Sequence, residues 1–394
     1  MVECEGERGV ASTIMSPKMV FIFSFILLLF TGINAYIGWN GYVFLNEAAG
    51  GIPPLLYWIP FAVVVFGYLI GRARIIRGPV GRLIKVIGAG YFAVMEFAFL
   101  LLPLADVLSW LLKRGGAEPA IYIEYVGYGV LAVLVLILIR GWRNAWSPVV
   151  REHRLEVPKS AGGLHSLRIL VASDIHLGNI VGNRHLKRLI QKVEQLKPDL
   201  ILLPGDVIDD DIEPFKRNNM AEQMSRLQAP YGVYAVLGNH EYYGGHIAEY
   251  VQAMDAIGIR VLRDETVTIE GRFHVAGRKD KTSESAAQGG RLPTKQLLEA
   301  LDPALPILLM DHQPHQFEAA AAAGADLLLC GHTHRGQFAP NHWITKRLFE
   351  LDWGYMNKKG MHVLVSSGFG LWGPPFRIAS RSELLDVTLT FKHR

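Results

Sequence analysis

The stretch "LLLCGHTHRGQ", Leu327–Gln337, passes from four apolar residues into two histidines separated by one threonine. A short apolar run closed by glycine predicts a buried β-strand, and on a strand the side chains at i and i+2 share a face. His332 and His334 then both aim beyond the carboxyl end of that strand. A single His-x-His pair is weak evidence for a metal, because such pairs are common as ordinary hydrogen-bonded residues. Its meaning depends on whether other segments end in the same way.

Four others do. From about Leu167 the chain alternates short β-like runs with helical ones: "LRILVAS" reads as a strand, and "NRHLKRLIQKVEQLK" places Leu186, Leu189, Ile190, Val193 and Leu196 on one face of a helix. The run "LRILVAS" leads into "SDIHLG" with Asp174 and His176, and "DLILLPGD" leads into "GDVIDD" with Asp206 and Asp209. "GVYAVLGNH" closes on "GNHE" with Asn239 and His240, and "PILLMDH" closes on "MDHQP" with His312. Further strands are expected at "RVLRD", "TVTIE", "FHVAG", "HVLVSSG" and "LLDVTLTF", with helices near Ile247–Ile257 and Gln316–Ala323. This is an α/β pattern, and in open α/β sheets ligands bind outside the carboxyl ends of the strands. Five segments therefore deliver metal-type or acid/base groups to one edge.

The residues divide into two adjacent metal sites. Asp206 can bridge both ions; Asp174, His176 and His334 complete one site, and Asn239, His312 and His332 the other. Carboxylate, amide and imidazole without thiolate suit Mn²⁺, Fe or Zn²⁺. Cys4 and Cys330 are the chain's two cysteines, which give neither a disulfide framework nor a thiolate zinc site. Two divalent ions, two carboxylates and one hydroxide leave about one positive charge to attract a phosphate, and two such ions about 3.5 to 4 Å apart can hold a hydroxide for in-line attack on phosphorus. His240 is placed to protonate the leaving oxygen, with Asp209 orienting its imidazole.

The first part of the chain is different in kind. The whole sequence of 394 residues is 50% hydrophobic with mean hydropathy +0.22, and the excess lies before about residue 146. Four stretches there, about 19–39, 52–70, 86–112 and 122–139, approach the ~20 residues a helix needs to cross a bilayer. A cleaved signal peptide fits poorly, since the leader carries Glu3, Glu5 and Glu7 and further apolar segments follow. Arg72, Arg74, Arg77, Arg82 and Lys85 follow the second stretch, and Arg140, Arg143, Arg151 and Arg154 the fourth, while the loop after the first holds neither Lys nor Arg. By the positive-inside rule, with Lys113 and Arg114 in the remaining loop a weaker contrary signal, the N-terminus and the C-terminal domain share the cytoplasmic side of a multi-pass membrane protein; one span fewer would put the domain outside. Glu96 sits deep in the third stretch, where a structural hydrogen bond between helices is the expected role. The expected organisation is a membrane domain over 1–146, a linker over 147–166 and a catalytic domain over 167–394. A net charge of +4, accounted for by membrane flanks, calls for no nucleic acid.

The ordered set "SDIHLG", "GDVIDD", "GNHE", "DHQP" and "GHTH" resembles that of the calcineurin-like metallophosphoesterases, over everything from about Leu167 to the end. The resemblance implies a four-layer α/β/β/α sandwich, a dinuclear centre with manganese the first choice of metal, and the ligand and acid roles given above. "GHTHRGQ" and "SSGFGLWGPPFRI" look most like membrane-associated phosphoesterases that include sugar-lipid pyrophosphatase relatives; Arg335 stands where those relatives carry Gly. The implied activity is hydrolysis of a phosphodiester or pyrophosphate of a lipid or nucleotide. A silent membrane scaffold that binds metal or a phosphorylated ligand is the alternative, and a transporter role for the helical half is a third. "RKDKTSESAAQGGRLP" reads as a flexible excursion, "HWITKRLFELDWGYMNKKG" as a loop or interfacial lip, and His315, His246, His274, His342 and His362 as structural.

Overall fold

Helices that are apolar around most of their circumference gain nothing from facing water, and the first part of the chain is built of them. The computed structural model describes residues 16–72, 78–285 and 289–392; Glu3, Cys4, Glu5, Glu7, Arg74 and Arg77 lie outside the described residues. Helix α1 (Pro17–Ala48) opens with Ser16 accepting the Met19 amide and proline in its first turn. Helix α4 (Gly78–Arg114) follows α2 (Pro54–Val65) and α3 (Gly67–Arg72), and α5 (Val126–Trp146) continues from a π-helical turn at Ala120–Tyr125. Three segments, Pro17–Ala48, Gly78–Arg114 and Ala120–Trp146, are long and apolar enough to cross a membrane.

The second expected span is not one helix. It is α2 and α3, which part at Phe66 (φ −92°, ψ 2°), and the 12 residues of α2 reach only about 18 Å against about 30 Å of hydrocarbon. Pro60 removes one helical hydrogen bond within α2. The break lets α3 lie hard against α4: a Cβ on Gly88 would stand 2.0 Å from the Tyr68 amide nitrogen, so only glycine permits that approach.

The remaining chain forms two six-stranded sheets. The strands are β1 (Val149–Val157), β2 (Ser166–Val171), β3 (Leu200–Pro204), β4 (Val233–Val236), β5 (Ile259–Val261), β6 (Glu265–Ile269), β7 (Phe273–Gly277), β8 (Ile307–Met310), β9 (Leu327–Cys330), β10 (Gly354–Lys358), β11 (Met361–Val365) and β12 (Glu383–Phe391). One sheet has the order β1-β12-β2-β3-β4-β5 and the other β10-β11-β9-β8-β7-β6. Strands β2 to β5 run parallel, as do β7, β8, β9 and β11. Their side chains alternate between two cores, which is why the strands read as continuous apolar runs. Leu167, Ile169 and Val171 enter the core between the sheets with Leu308, Met310 and Leu329, while Leu170 joins a core beneath helices.

Those helices are α6 (Asn183–Leu196), α7 (Ile212–Arg217), α8 (Met220–Met224), α9 (Asn239–Gly244) and α10 (Ile247–Asp255) over the first sheet. Helices α11 (Thr294–Leu298) and α12 (Phe317–Ala322) pack with Leu309, Leu328 and Val363 on the outside of the second, and α13 (His342–Leu348) follows β9. The architecture is the four-layer α/β/β/α sandwich.

Residues 147–166, expected as a linker, hold a strand of the sheet: β1 pairs with β12 in parallel from Val149↔Glu383 to Val157↔Phe391. The chain divides into two compact units, one of residues up to Phe66 with Val94–Leu134, the other of Gly67–Ala93 with Val135–Arg394. The division therefore cuts through α4 and α5, and the end of α5 belongs with the sheets: Ala145 and Trp146 enter the core that includes Leu177 and Phe369.

Candidate metal centre

Strands β2, β3 and β4 of one sheet and β8 and β9 of the other all end at a common polar cluster. Beyond those ends the backbone leaves the β region sharply: Asp174, His176, Asp206, His332 and His334 all have positive φ, between 47° and 73°. Such conformations cost non-glycine residues on the order of 1 kcal/mol or more each, and they persist where the surrounding structure holds them. Here the ligand loops hold one another. The His332 amide donates to Asp174 Oδ1 (2.8 Å) and the His240 amide to Asp206 Oδ1 (3.0 Å). A Cβ on Gly331 would stand 2.2 Å from Asp174 Oδ2, so the glycine of "GHTH" is what allows that loop to close.

The seven residues expected as ligands converge in two groups. Asp174, His176 and His334 offer ligand atoms within 4.8 Å of one another, and so do Asp206, His312 and His332. His176 Nε2 faces His334 Nε2 at 2.9 Å, and His334 Nε2 lies 3.6 Å from Asp174 Oδ1. Asp206 Oδ2 stands between the groups, 3.1 Å from His312 Nε2 and 3.8 Å from His176 Nε2. Asn239 Oδ1 lies 2.8 Å from His332 Nδ1 and 3.2 Å from His312 Nε2. Four imidazoles aiming ring nitrogens at one another and at shared oxygens is a donor set suited to cations. His312 also donates from Nδ1 to the Pro204 carbonyl (2.8 Å), which leaves Nε2 free to ligate.

The electrostatics of three of the four imidazoles agree with that chemistry, while for His312 burial acts downward but the Asp206 carboxylate outweighs it and holds the ring well above its ordinary range. Burial pushes His332 down to about 4 and His176 to about 3, and it takes His334 well below its usual range, so these imidazoles are neutral at physiological pH. Burial also raises Asp174 to about 6. For Asp206 burial acts upward too, but His312, His176 and His240 outweigh it and hold the carboxyl below its ordinary range.

His240 lies against this cluster, with its ring edge-on to His176 at 4.7 Å and one nitrogen within 4.8 Å of both the Asp206 carboxylate and His176. Its Nδ1 meets Asp210 Oδ1 at 2.7 Å, whereas Asp209 Oδ1 stands at 3.7 Å. Asp210, not the expected Asp209, makes the short contact. The Asp209 amide is spent on the Leu177 carbonyl, and its side chain packs against Gly178. Burial pulls the His240 imidazole down, but the Asp210 hydrogen bond and the charges of Asp206, Asp210 and Asp209 hold it up at about 9.

Two residues that sequence reasoning passed over hold the loops in place. Glu241 accepts from the amides of Gly238 (2.7 Å), Ile208 (3.0 Å) and Asp206 (3.1 Å), tying the "GDVIDD" loop to "GNHE". It is the third residue of α9, so the capping-box spacing was a visible clue. Arg377 is fully buried and donates to His334 Nδ1 (3.1 Å), to the carbonyls of Gly370 (2.7 Å) and Gly368 (3.2 Å), and to Ser380 Oγ (3.2 Å). Its own backbone is clasped by α5, donating to Gly141 O (3.0 Å) and accepting from Asn144 Nδ2 (3.0 Å).

The expected flexible excursion is pinned at both ends. Arg278 Nη1 donates to Asp311 Oδ2 at 2.7 Å and Arg291 Nη1 to Asp311 Oδ1 at 3.2 Å, all buried beside the candidate ligand His312; residues 286–288 lie outside the described residues. Arg335 lies over the Trp353 ring at 3.9 Å, and the His315 ring lies 5.2 Å from that of Phe349 and tilted to it. In the other unit the Tyr36 hydroxyl donates to Asp106, an acidic residue of α4 that the hydropathy reading did not single out beside Glu96.

The family model described as "Calcineurin-like phosphoesterase" matches residues 167–336. An "Uncharacterized metallophosphoesterase" of Aquifex aeolicus is 33% identical over 247 residues, 62% of this chain and 92% of that protein. A "Transmembrane protein with metallophosphoesterase domain" of Danio rerio is 29% identical over 314 residues, 76% of this chain and 71% of that protein. The Bos taurus protein of the same name is 28% identical over 273 residues, 66% and 61% of the two chains. None of these names specifies a substrate, so the sugar-lipid branch expected from residues 366–378 gains no support from them. With a two-sheet sandwich, a His/Asp cluster at its strand ends and these relatives, the chain belongs to the calcineurin-like metallophosphoesterases and is a metal-dependent phosphoesterase.

Proposed function

We propose that the protein is a membrane-anchored phosphoester hydrolase with two divalent ions, acting on a phosphodiester or pyrophosphate of a lipid or nucleotide. The observation that carries this reading is Asp206, whose carboxylate stands between two groups of ligand atoms. Asp174, His176, His334 and Asp206 would hold one ion, and Asp206, Asn239, His312 and His332 the other. When bound, such ions supply an activated water and neutralise charge developing on the phosphoryl group. The donor set is compatible with Mn²⁺, Fe or Zn²⁺, and the family resemblance puts Mn²⁺ first.

The chain's own groups do the rest. His240 delivers a proton to the leaving oxygen, with its other nitrogen engaged by Asp210 and, at longer range, by Asp209. Asn239 contributes a neutral amide oxygen, so the centre keeps a residual positive charge toward phosphate. For topology, the basic residues after α3 and α5 support a cytoplasmic catalytic unit, with α2 and α3 together making the fourth crossing.

The test is turnover of an aryl phosphodiester by the detergent-solubilised full chain with Mn²⁺. Asp206→Asn should abolish it. His240→Ala should cost about 10²- to 10⁴-fold on an alkyl ester and less on the aryl ester, whose leaving oxygen needs no proton. Full activity in Asp206→Asn would exclude the assignment.

A further inference from the structure

The metal centre is rimmed by apolar side chains that face outward. Tyr243 and Trp372 are 65% and 58% exposed, yet their rings lie 5.8 and 6.5 Å from that of His240. On the His332 side stands Phe349, with ring centroids 6.1 Å apart, and before it α13 exposes Trp343, Ile344 and Leu348 at 68%, 58% and 69%. Lys346 and Arg347 lie in the last turn of the same helix. Exposed large apolar residues grouped at a catalytic mouth mark a surface that meets something apolar.

What it meets is indicated by the loop that carries Trp372. That loop continues into Pro375 and Phe376, which seat on the last turns of α5: Trp146 Nε1 donates to the Pro375 carbonyl (3.2 Å), and the Trp142 and Phe376 rings lie 6.2 Å apart. Helix α5 is the end of the apolar segment Ala120–Trp146, and Trp142 is itself exposed. Arg140, Arg143 and Arg151 stand near enough to Arg381 for their charges to act on it, and Arg381 in turn donates to the Ser147 carbonyl. The rim is thus continuous with a tryptophan-bearing, arginine-flanked helix end of the kind that sits at a membrane surface.

Resting on the hydrolase reading above, we propose that the centre takes its substrate from the bilayer surface: a lipid phosphoester whose phosphoryl group lies in the headgroup layer, with α13, Tyr243 and Trp372 seated among the lipids. The step is hydrolysis. A water oxygen bonds to phosphorus, the P–O bond to the leaving group breaks, and the leaving oxygen takes a proton. Apolar rim side chains admit the chain-bearing end of such a substrate while its phosphoryl group reaches the centre, and basic residues beside them favour an anionic surface.

The test uses the full chain reconstituted in phosphatidylcholine–phosphatidylglycerol bilayers with two probes that share one reacting group, an aryl methyl phosphodiester in water and an aryl hexadecyl phosphodiester in the bilayer. The wild type should prefer the hexadecyl ester in kcat/KM by at least about tenfold, and Trp343→Ser/Ile344→Ser/Leu348→Ser should remove about tenfold of that preference through KM, with methyl ester turnover unchanged. Independently of turnover, dibrominated lipid should quench less tryptophan emission in Trp343→Phe than in the wild type. Equal use of the two esters, an equal loss on both in the triple variant, or quenching unchanged by Trp343→Phe would each overturn the proposal. Absence of methyl ester turnover in the wild type would instead sink the hydrolase reading, and this inference with it.

Discussion

Arg377 offers the sharpest test of how the catalytic loops are held, because its two natural replacements should rank against chemical intuition. The guanidinium is fully buried and, among the described residues, no carboxylate hydrogen-bonds to it. Burial lowers it from 12.5 to about 10, which at ~1.36 kcal/mol per pH unit means the fold spends roughly 3 kcal/mol keeping the charge inside. Against this stand the hydrogen bonds to Gly368, Gly370, Ser380 and His334. Leaving the Gly370 carbonyl without that donor costs about 1 to 3 kcal/mol, whereas the Gly368 carbonyl still accepts from the Glu383 amide. Arg377→Met forfeits those bonds but recovers the desolvation. Arg377→Lys keeps a buried cation and loses the fork, since one ammonium cannot span acceptors that the guanidinium reaches from three nitrogens. Lys should therefore be the less stable variant by about 3 kcal/mol, or roughly 6 to 12 °C in Tm for a unit of this size. Thermal unfolding of the detergent-solubilised full chain measures this, with metal content read in parallel. A lysine variant as stable as the methionine one would refute the reasoning, because both lack the fork and the cost of burying the charge is what should separate them.

Three further outcomes are expected. Gly331→Ala places a carbon about where Asp174 Oδ2 stands, 2.2 Å from it, and bound metal per chain measured by elemental analysis should fall well below that of the wild type. Asp210→Asn should move the alkaline limb of the pH–rate profile down from about 9 toward 6.5, since removing the hydrogen-bonded carboxylate makes His240 lose its proton earlier; Asp209→Asn should move it less. His185, held at about 4 by burial with Arg188 and Arg377 adding to it, is neutral in the fold and near 6.5 when unfolded. Its contribution is therefore present above pH 6.5 and lost as pH falls toward 4, on the order of 3 kcal/mol in all, and His185→Gln should flatten the acid side of a stability-versus-pH curve by that amount.

The parts of the fold that could be read in advance are those whose cause is local. Leu200–Pro204 is buried on both faces and so reads as an unbroken apolar run, and α6 advertises its buried stripe at helical spacing. Each candidate ligand is legible for the same reason, as a polar residue placed soon after such a strand. What stayed hidden has causes far away in sequence or smaller than a residue. Strand β1, "VVREHRLEV", mixes charges into its pattern and is a strand because β12 lies beside it, more than two hundred residues later. Asp209 and Asp210 are adjacent acids that both approach His240, and a difference of about an ångström, 2.7 Å against 3.7 Å, separates the one that hydrogen-bonds it from the one that does not. The second membrane segment was long enough on composition, but Pro60 and the break at Phe66 divide it.

The same distinction bears on where the catalytic unit begins. A boundary at the first residue of the sheet, Val149, would sever Asn144 and Gly141 from the backbone of Arg377, and Trp146 from Pro375. Arg377 is the residue that meets His334, so the end of α5 is joined to a ligand position through one side chain and two backbone hydrogen bonds. Asn144→Ala removes one of those bonds while improving helix propensity by up to ~0.7 kcal/mol, and losing the buried bond should cost about 1 to 3 kcal/mol. A fragment starting at Val135 should therefore retain more metal than one starting at Val149, although the two contain the same seven candidate ligands. Equal retention by both fragments would mean that α5 serves the membrane alone.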